Sequence, residues 1–124
     1  MDIYREEILD HYKHPRNFGH LSKPDYVGLE YNRSCGDKII IEMTVSKGKN
    51  TKKIRDIRFS GEGCTISLAS TSMLTERALG MTFDRIMKIS LLDIQSWLGT
   101  VLVPARVKCA VLGLEVLQKA ITQK

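Results

Sequence analysis

Lys38-Ile39-Ile40-Ile41-Glu42-Met43-Thr44-Val45-Ser46 is the stretch whose reading decides the fold. Ile39, Ile41, Met43 and Val45 share one face, and Lys38, Glu42 and Thr44 share the other. A period of two marks a strand with one buried face. Just downstream, Ile54 to Ser60 turns Ile57 and Phe59 inward and Asp56 and Arg58 outward. The basic turn Lys47-Gly48-Lys49-Asn50-Thr51-Lys52-Lys53 joins the two strands as a hairpin. Just upstream, Gly28 to Arg33 is a candidate third strand.

Beyond these strands the pattern is helical. Asp2 to Lys13 brings Ile3, Ile8, Leu9 and Tyr12 to helical spacing, with Asp2 a candidate N-cap. His14-Pro15 ends that helix, because the residue before proline is pushed out of the α region. Arg16 to Gly28 reads as irregular. Cys64 to Leu79 forms the next helix, with Ile66, Ala69, Met73 and Leu74 at core spacing and Gly80 as the stop. Thr82 caps a short helix over Phe83 to Lys88. Ser90-Leu91-Leu92-Asp93 is a capping box for another, which ends at Gly99. Trp97 packs on that short helix or in the core. Pro104 opens the last helix, whose expected apolar stripe is Val107, Val111, Leu114, Leu117 and Ile121. Strands first and helices afterwards predict an α+β fold: a small three-stranded antiparallel sheet with helices packed on one face.

The chain has 124 residues, of which 43% are hydrophobic, 27% charged and 6% aromatic. Such a length and balance predict one domain over residues 1–124, and argue against disorder and long coiled coils. No apolar run approaches the roughly 20 residues of a membrane-spanning helix. No export signal is visible, so a cytoplasmic setting is expected. A net charge of +5 favours acidic partners without naming one. The basic turn carries no interleaved aromatics for base stacking, so solvated lysines are expected there and no nucleic acid. His11, His14 and His20 read as helix-face or loop histidines.

Three cysteines remain, an odd count, widely separated, which speaks against a disulfide framework. Cys35-Gly36-Asp37 lies in a turn before the deciding strand, and Gly61-Glu62-Gly63-Cys64 runs from a strand end into a helix. Cys109 is expected within about the first turn of the last helix. A helix N-terminus favours thiolate over thiol, and this is expected to act on both Cys64 and Cys109. Three thiolates and one carboxylate suit zinc or a small iron–sulfur cluster. The carboxylate is the harder ligand, so a cluster it held would be held less firmly and would suit transfer. Spacing alone leaves this open against three ordinary buried cysteines.

Larger blocks carry a resemblance. Tyr4-Arg5-Glu6-Glu7-Ile8-Leu9-Asp10-His11-Tyr12 with Pro15-Arg16-Asn17 resembles the opening of the U-type iron–sulfur cluster scaffold family (IscU, SufU and the N-terminal domain of NifU). Asn32-Arg33-Ser34-Cys35-Gly36-Asp37 is similar to its first ligand motif. Phe59-Ser60-Gly61-Glu62-Gly63-Cys64-Thr65-Ile66-Ser67 is similar to the second, and Pro104-Ala105-Arg106-Val107-Lys108-Cys109-Ala110 to the third. The ordered set covers nearly the whole chain.

The resemblance implies a scaffold that assembles a transient [2Fe–2S] cluster and passes it to apo iron–sulfur acceptor proteins, itself more a carrier than an enzyme. It implies Cys35, Asp37, Cys64 and Cys109 as ligands, the three cysteines as sulfur acceptors with Cys109 first, and Asp37 as the residue that keeps the cluster labile. It implies a cysteine desulfurase as sulfur source, docking at the Ile3-Tyr4 tip, with a chaperone or iron donor as further partners. The chain itself is expected as a monomer or weak homodimer. Lys108 stands where many IscU-type members have histidine, which is more like SufU, the branch that binds zinc tightly and relays sulfur. The Cys64-to-Cys109 spacing, however, is close to the uninserted IscU arrangement. A zinc-bound sulfur-transfer protein that activates a desulfurase is therefore the alternative, with Zn2+ as occupant. A small basic interaction module with incidental cysteines is a third. Lys108 either steadies a thiolate or persulfide near Cys109 or is simply solvated, and Arg106 is a further auxiliary candidate.

Overall fold

A computed structural model describes residues 5–49 and 51–122. The deciding stretch is the central strand of one sheet. β1 (Tyr26–Asn32), β2 (Asp37–Lys47) and β3 (Lys52–Glu62) are antiparallel and ordered β1-β2-β3. The β2–β3 ladder runs out to Lys47↔Lys52, so the connecting loop is shorter than the basic segment. A register shift at Thr44/Val45 pairs Thr44 with Asp56 and Val45 with Ile54, leaving Arg55 as an extra residue. That bulge turns both Ile54 and Ile57 inward although they are three positions apart.

The inward face carries Ile39, Ile41, Met43, Ile57 and Phe59, all fully buried. The opposite face exposes Val27, Leu29 and Tyr31 on β1. Glu42, also on that face, is covered by the upstream loop: its carboxylate accepts the Leu21 N–H and pairs with His20 at 2.6 Å.

Among the described residues there are five helices: α1 (Glu6–Lys13), α2 (Thr65–Ala78), α3 (Phe83–Met87), α4 (Leu91–Leu98) and α5 (Pro104–Thr122). α1 starts at Glu6 rather than after Asp2; Asp2, Ile3 and Tyr4 lie outside the described residues. Its end at Lys13, before His14-Pro15, is as expected. Thr82 accepts the Arg85 N–H, Ser90 and Asp93 form the capping box, and Gly99 closes α4 in the left-handed region at φ 70°. Trp97 is half-buried beneath the Arg77 guanidinium, 4.7 Å from its ring centre.

α5 differs from its expected stripe. Val107 and Val111 are only half-buried, while Cys109, Ala110, Leu112, Val116, Leu117 and Ala120 are buried along with Leu114 and Ile121. The reason is that α5 is pressed between two partners and buries more than one face. A Cβ on Gly28 of β1 would meet the Val116 carbonyl at 2.8 Å, and one on Gly113 would meet Thr71 Oγ1 of α2 at 2.4 Å. Small residues at both crossings let the backbones approach. This sandwich holds Cys109 against the ends of β1 and β2.

Candidate metal centre

Three chain segments meet at the end of the sheet where β1 turns into β2. Asn32 and Asp37 are register partners that close the turn, and between them the Cys35 N–H donates to the Asn32 carbonyl at 3.3 Å. Gly36 takes φ 71°, the left-handed conformation that lets the turn close between Cys35 and Asp37. Asp37 is 1% exposed. One of its carboxylate oxygens accepts the Cys64 N–H at 2.9 Å, and the other lies 3.4 Å from the Asn32 amide nitrogen. Gly63 makes room for this: a Cβ there would sit 2.8 Å from Asp37 Oδ1 and 2.3 Å from Ser67 Oγ.

Cys64 is the N-cap of α2. Its backbone is extended at φ −76° and ψ 171°, and its sulfur accepts the Ser67 N–H at 3.5 Å. Cys109 is the sixth residue of α5, in its second turn, and is fully buried. The field of a helix N-terminus fades within the first turn, so it does not supply the expected thiolate bias at Cys109. Burial pushes the Cys109 thiol far up, and the neighbouring Cys35 and Cys64 thiols add to the shift. The Cys109 thiol donates to Cys35 Sγ at 3.1 Å. In the metal-free chain Cys109 is therefore a protonated thiol at neutral pH.

The sulfurs of Cys35 and Cys109 and a carboxylate oxygen of Asp37 all lie within 4.8 Å of one another. Two thiolates on one tetrahedral zinc sit about 3.7 Å apart, so the span suits a shared ion. The donor set is soft apart from the carboxylate, and it matches a thiophilic metal. Cys64 falls outside that tight group, with its sulfur spent on the helix cap, but its backbone touches Asp37 and its thiol neighbours Cys109.

Two auxiliary candidates and one further neighbour flank these groups. Lys108 is exposed. The cation facing the sulfurs is Arg106, whose pKa is raised first by the adjacent Cys109 and then by the nearby Cys64 and Cys35. One turn of helix separates Arg106 from Cys109, so they share a face, whereas Lys108 is rotated away. Asn32 is the residue that sequence reasoning left without a role. It is 8% exposed, and its amide nitrogen also lies 3.7 Å from Cys109 Sγ. The signal was present: counting by twos from inward Tyr26 reaches Asn32, a polar side chain on the buried face. The histidines serve elsewhere, with His11 bonded to Ser72 Oγ of α2 at 2.8 Å.

A small antiparallel sheet backed by helices, with thiols and one carboxylate converging at its end, defines an α+β domain with a candidate thiol–carboxylate metal centre. The chain belongs to the NifU-like N terminal domain family, which matches residues 3–123. It is 37% identical over 139 aligned positions to the zinc-dependent sulfurtransferase SufU of Bacillus subtilis, covering 98% of this chain and 91% of that protein. It is equally 37% identical, over 118 positions, to the iron–sulfur cluster assembly scaffold protein IscU of Aquifex aeolicus, covering 95% of this chain and 73% of that protein. Its fold is similar to the crystal structure of a Fervidobacterium islandicum protein assigned by name to iron–sulfur cluster assembly for the SUF system. The TM-score is 0.78 at 29% identity, and the match covers 96% of each chain. No helix among the described residues is long and apolar enough to cross a membrane.

Proposed function

We propose that this protein is a scaffold on which a [2Fe–2S] cluster is assembled as cargo and from which it passes to apo acceptor proteins. Cys35, Cys64, Cys109 and Asp37 are its ligands, and a cysteine desulfurase supplies the sulfur. The observation that carries this reading is the convergence of Cys35 Sγ, Cys109 Sγ and the buried Asp37 carboxylate within 4.8 Å. A carboxylate among thiolates weakens the hold on a soft iron–sulfide centre, as transfer requires. In sulfur delivery the terminal sulfur of a desulfurase persulfide passes to a cysteine thiolate of this chain. One S–S bond forms as another breaks, and the desulfurase thiolate leaves. Cys109 is the proposed first acceptor; buried and protonated in the free chain, it has to be uncovered and give up its proton as the desulfurase docks. Its Arg106 neighbour offsets the charge of a thiolate or persulfide there. A cytoplasmic setting and a monomeric or weakly dimeric state belong to the same reading.

The zinc-bound sulfur-transfer reading has its own support in the SufU relative and in Lys108, which is exposed and no ligand. Identity does not separate the two, but alignment length does. The SufU alignment needs 139 positions against the 124 residues of this chain, so that relative carries segments without a counterpart here. The IscU alignment needs 118. The compact arrangement favours the scaffold. Anaerobic reconstitution with iron, cysteine and a desulfurase, followed by visible absorption and metal analysis, tests it. The expected result is a sulfide-to-iron charge-transfer chromophore with two irons per cluster. Stoichiometric zinc that iron does not displace, with no chromophore, overturns the scaffold reading in favour of the zinc one.

A further inference from the structure

Asn32 touches three of the four proposed ligands. Its carbonyl accepts the Cys35 N–H at 3.3 Å, and its amide nitrogen lies 3.4 Å from Asp37 Oδ2 and 3.7 Å from Cys109 Sγ. It ends β1 on the buried face, in register with Asp37. An amide nitrogen has two N–H groups and no formal charge, so it can serve a carboxylate and a sulfur at once. The reverse amide orientation would set its carbonyl against the carboxylate, which fixes the nitrogen toward the site. We infer that Asn32 is a positioning residue of the metal centre, whose two amide N–H groups hold Asp37 and the Cys109 sulfur in ligand orientation and offset their negative charge. The inference rests on the reading of this site as a metal centre. Ligands of bound metals are commonly oriented in this way by neighbouring donors, and removing one such donor typically weakens metal binding about 10–100-fold.

A packing role and a donating role predict different orders for two substitutions. Asn32→Ala removes the donor and leaves a small void. Asn32→Asp keeps the shape but replaces the donor with a charged acceptor facing a carboxylate and thiolates. Zinc release to a chromogenic chelator and the sulfur-to-metal absorption of the cobalt(II)-loaded protein are read for both, with far-UV dichroism and urea midpoints to establish folding. The expected result is about tenfold faster zinc release for Asn32→Ala, faster release still for Asn32→Asp, and a shifted cobalt band in each. If Asn32→Asp does not fold, Asn32→Ser, which retains a hydroxyl donor, is expected to release zinc more slowly than Asn32→Ala. Release by Asn32→Asp at the unsubstituted rate, or by Asn32→Ser no slower than by Asn32→Ala, overturns the inference in favour of packing. Failure of the unsubstituted chain to take up zinc or cobalt overturns the metal reading and this inference with it. Normal loading with unchanged release in Asn32→Ala overturns the inference alone.

Discussion

At the scale of single residues, the two chemically opposed members of the site are Asp37 and Cys109. Asp37 is a buried carboxylate whose strongest described contact is the Cys64 N–H at 2.9 Å. Its replacement by alanine leaves that N–H without its acceptor, at a cost of about 1–3 kcal/mol. The same replacement removes the one hard ligand from the proposed set. Asp37→Ala is therefore expected to lower the urea midpoint while lengthening the life of a reconstituted cluster; an unchanged rate of transfer to an apo-ferredoxin would count against Asp37 as the source of lability. Cys109 poses the reverse case. It is fully buried, and burial together with two adjacent thiols keeps it protonated. Since the thiolate is the reactive form, iodoacetamide at neutral pH should modify Cys109 last of the three cysteines in the metal-free protein. Peptide mapping over an alkylation time course checks the order, and early modification of Cys109 would contradict the buried thiol.

At the scale of elements, the strands were legible because their signal is local. The alternation of Ile39, Ile41, Met43 and Val45 needs no partner to be recognised, and the short helices announced themselves through Thr82, the Ser90–Asp93 box and Gly99. The depth of Cys109 and the sidedness of α5 were not legible, since both depend on which surfaces α5 is pressed against. Gly28 and Gly113 decide that, and they looked like ordinary glycines in the sequence. Asn32 stayed without an assigned place for the same reason, because its Cys109 partner is distant in the chain. The contact between α1 and α2 is another such case. His11 donates to or accepts from Ser72 Oγ, which also accepts the Arg16 N–H, and its other nitrogen lies 3.5 Å from Glu76. Burial lowers the His11 pKa, the Arg16 charge lowers it further, and Glu76 and Asp10 oppose the shift without cancelling it. A histidine harder to protonate when folded than when unfolded draws protons to the unfolded state. Stability is therefore expected to fall as pH drops through the ordinary histidine value of about 6.5, with the loss levelling off below the folded pKa. Thermal melts between neutral pH and pH 5 should show this slope, and His11→Gln should flatten it; an equal slope in the variant would place the acid sensitivity elsewhere.

At the scale of the whole molecule, the proposed ligands come from segments that the fold brings together only at its end. Cys35 and Asp37 belong to the first hairpin turn, Cys64 to the junction of β3 and α2, and Cys109 to the last helix. An ion held by all of them ties the start of the sheet to the end of the chain. The unfolded chain holds no such arrangement, so binding energy becomes folding energy. With free metal at about 100 times its dissociation constant, loading adds about 2.7 kcal/mol. For a domain of this size that corresponds to a rise of about 10 °C in Tm. Calorimetry with zinc and with a chelator should reveal the increment, and Cys35→Ser and Cys109→Ser should each abolish most of it. Cys64 makes the comparison decisive, because its sulfur is engaged by the Ser67 N–H and lies outside the tightest group. If it leaves the helix cap to join the metal, Cys64→Ser loses the increment as fully as the other two. If the increment survives in Cys64→Ser while it disappears in Cys35→Ser and Cys109→Ser, the resting centre is held by Cys35, Asp37 and Cys109, with the α2 cap standing apart from it.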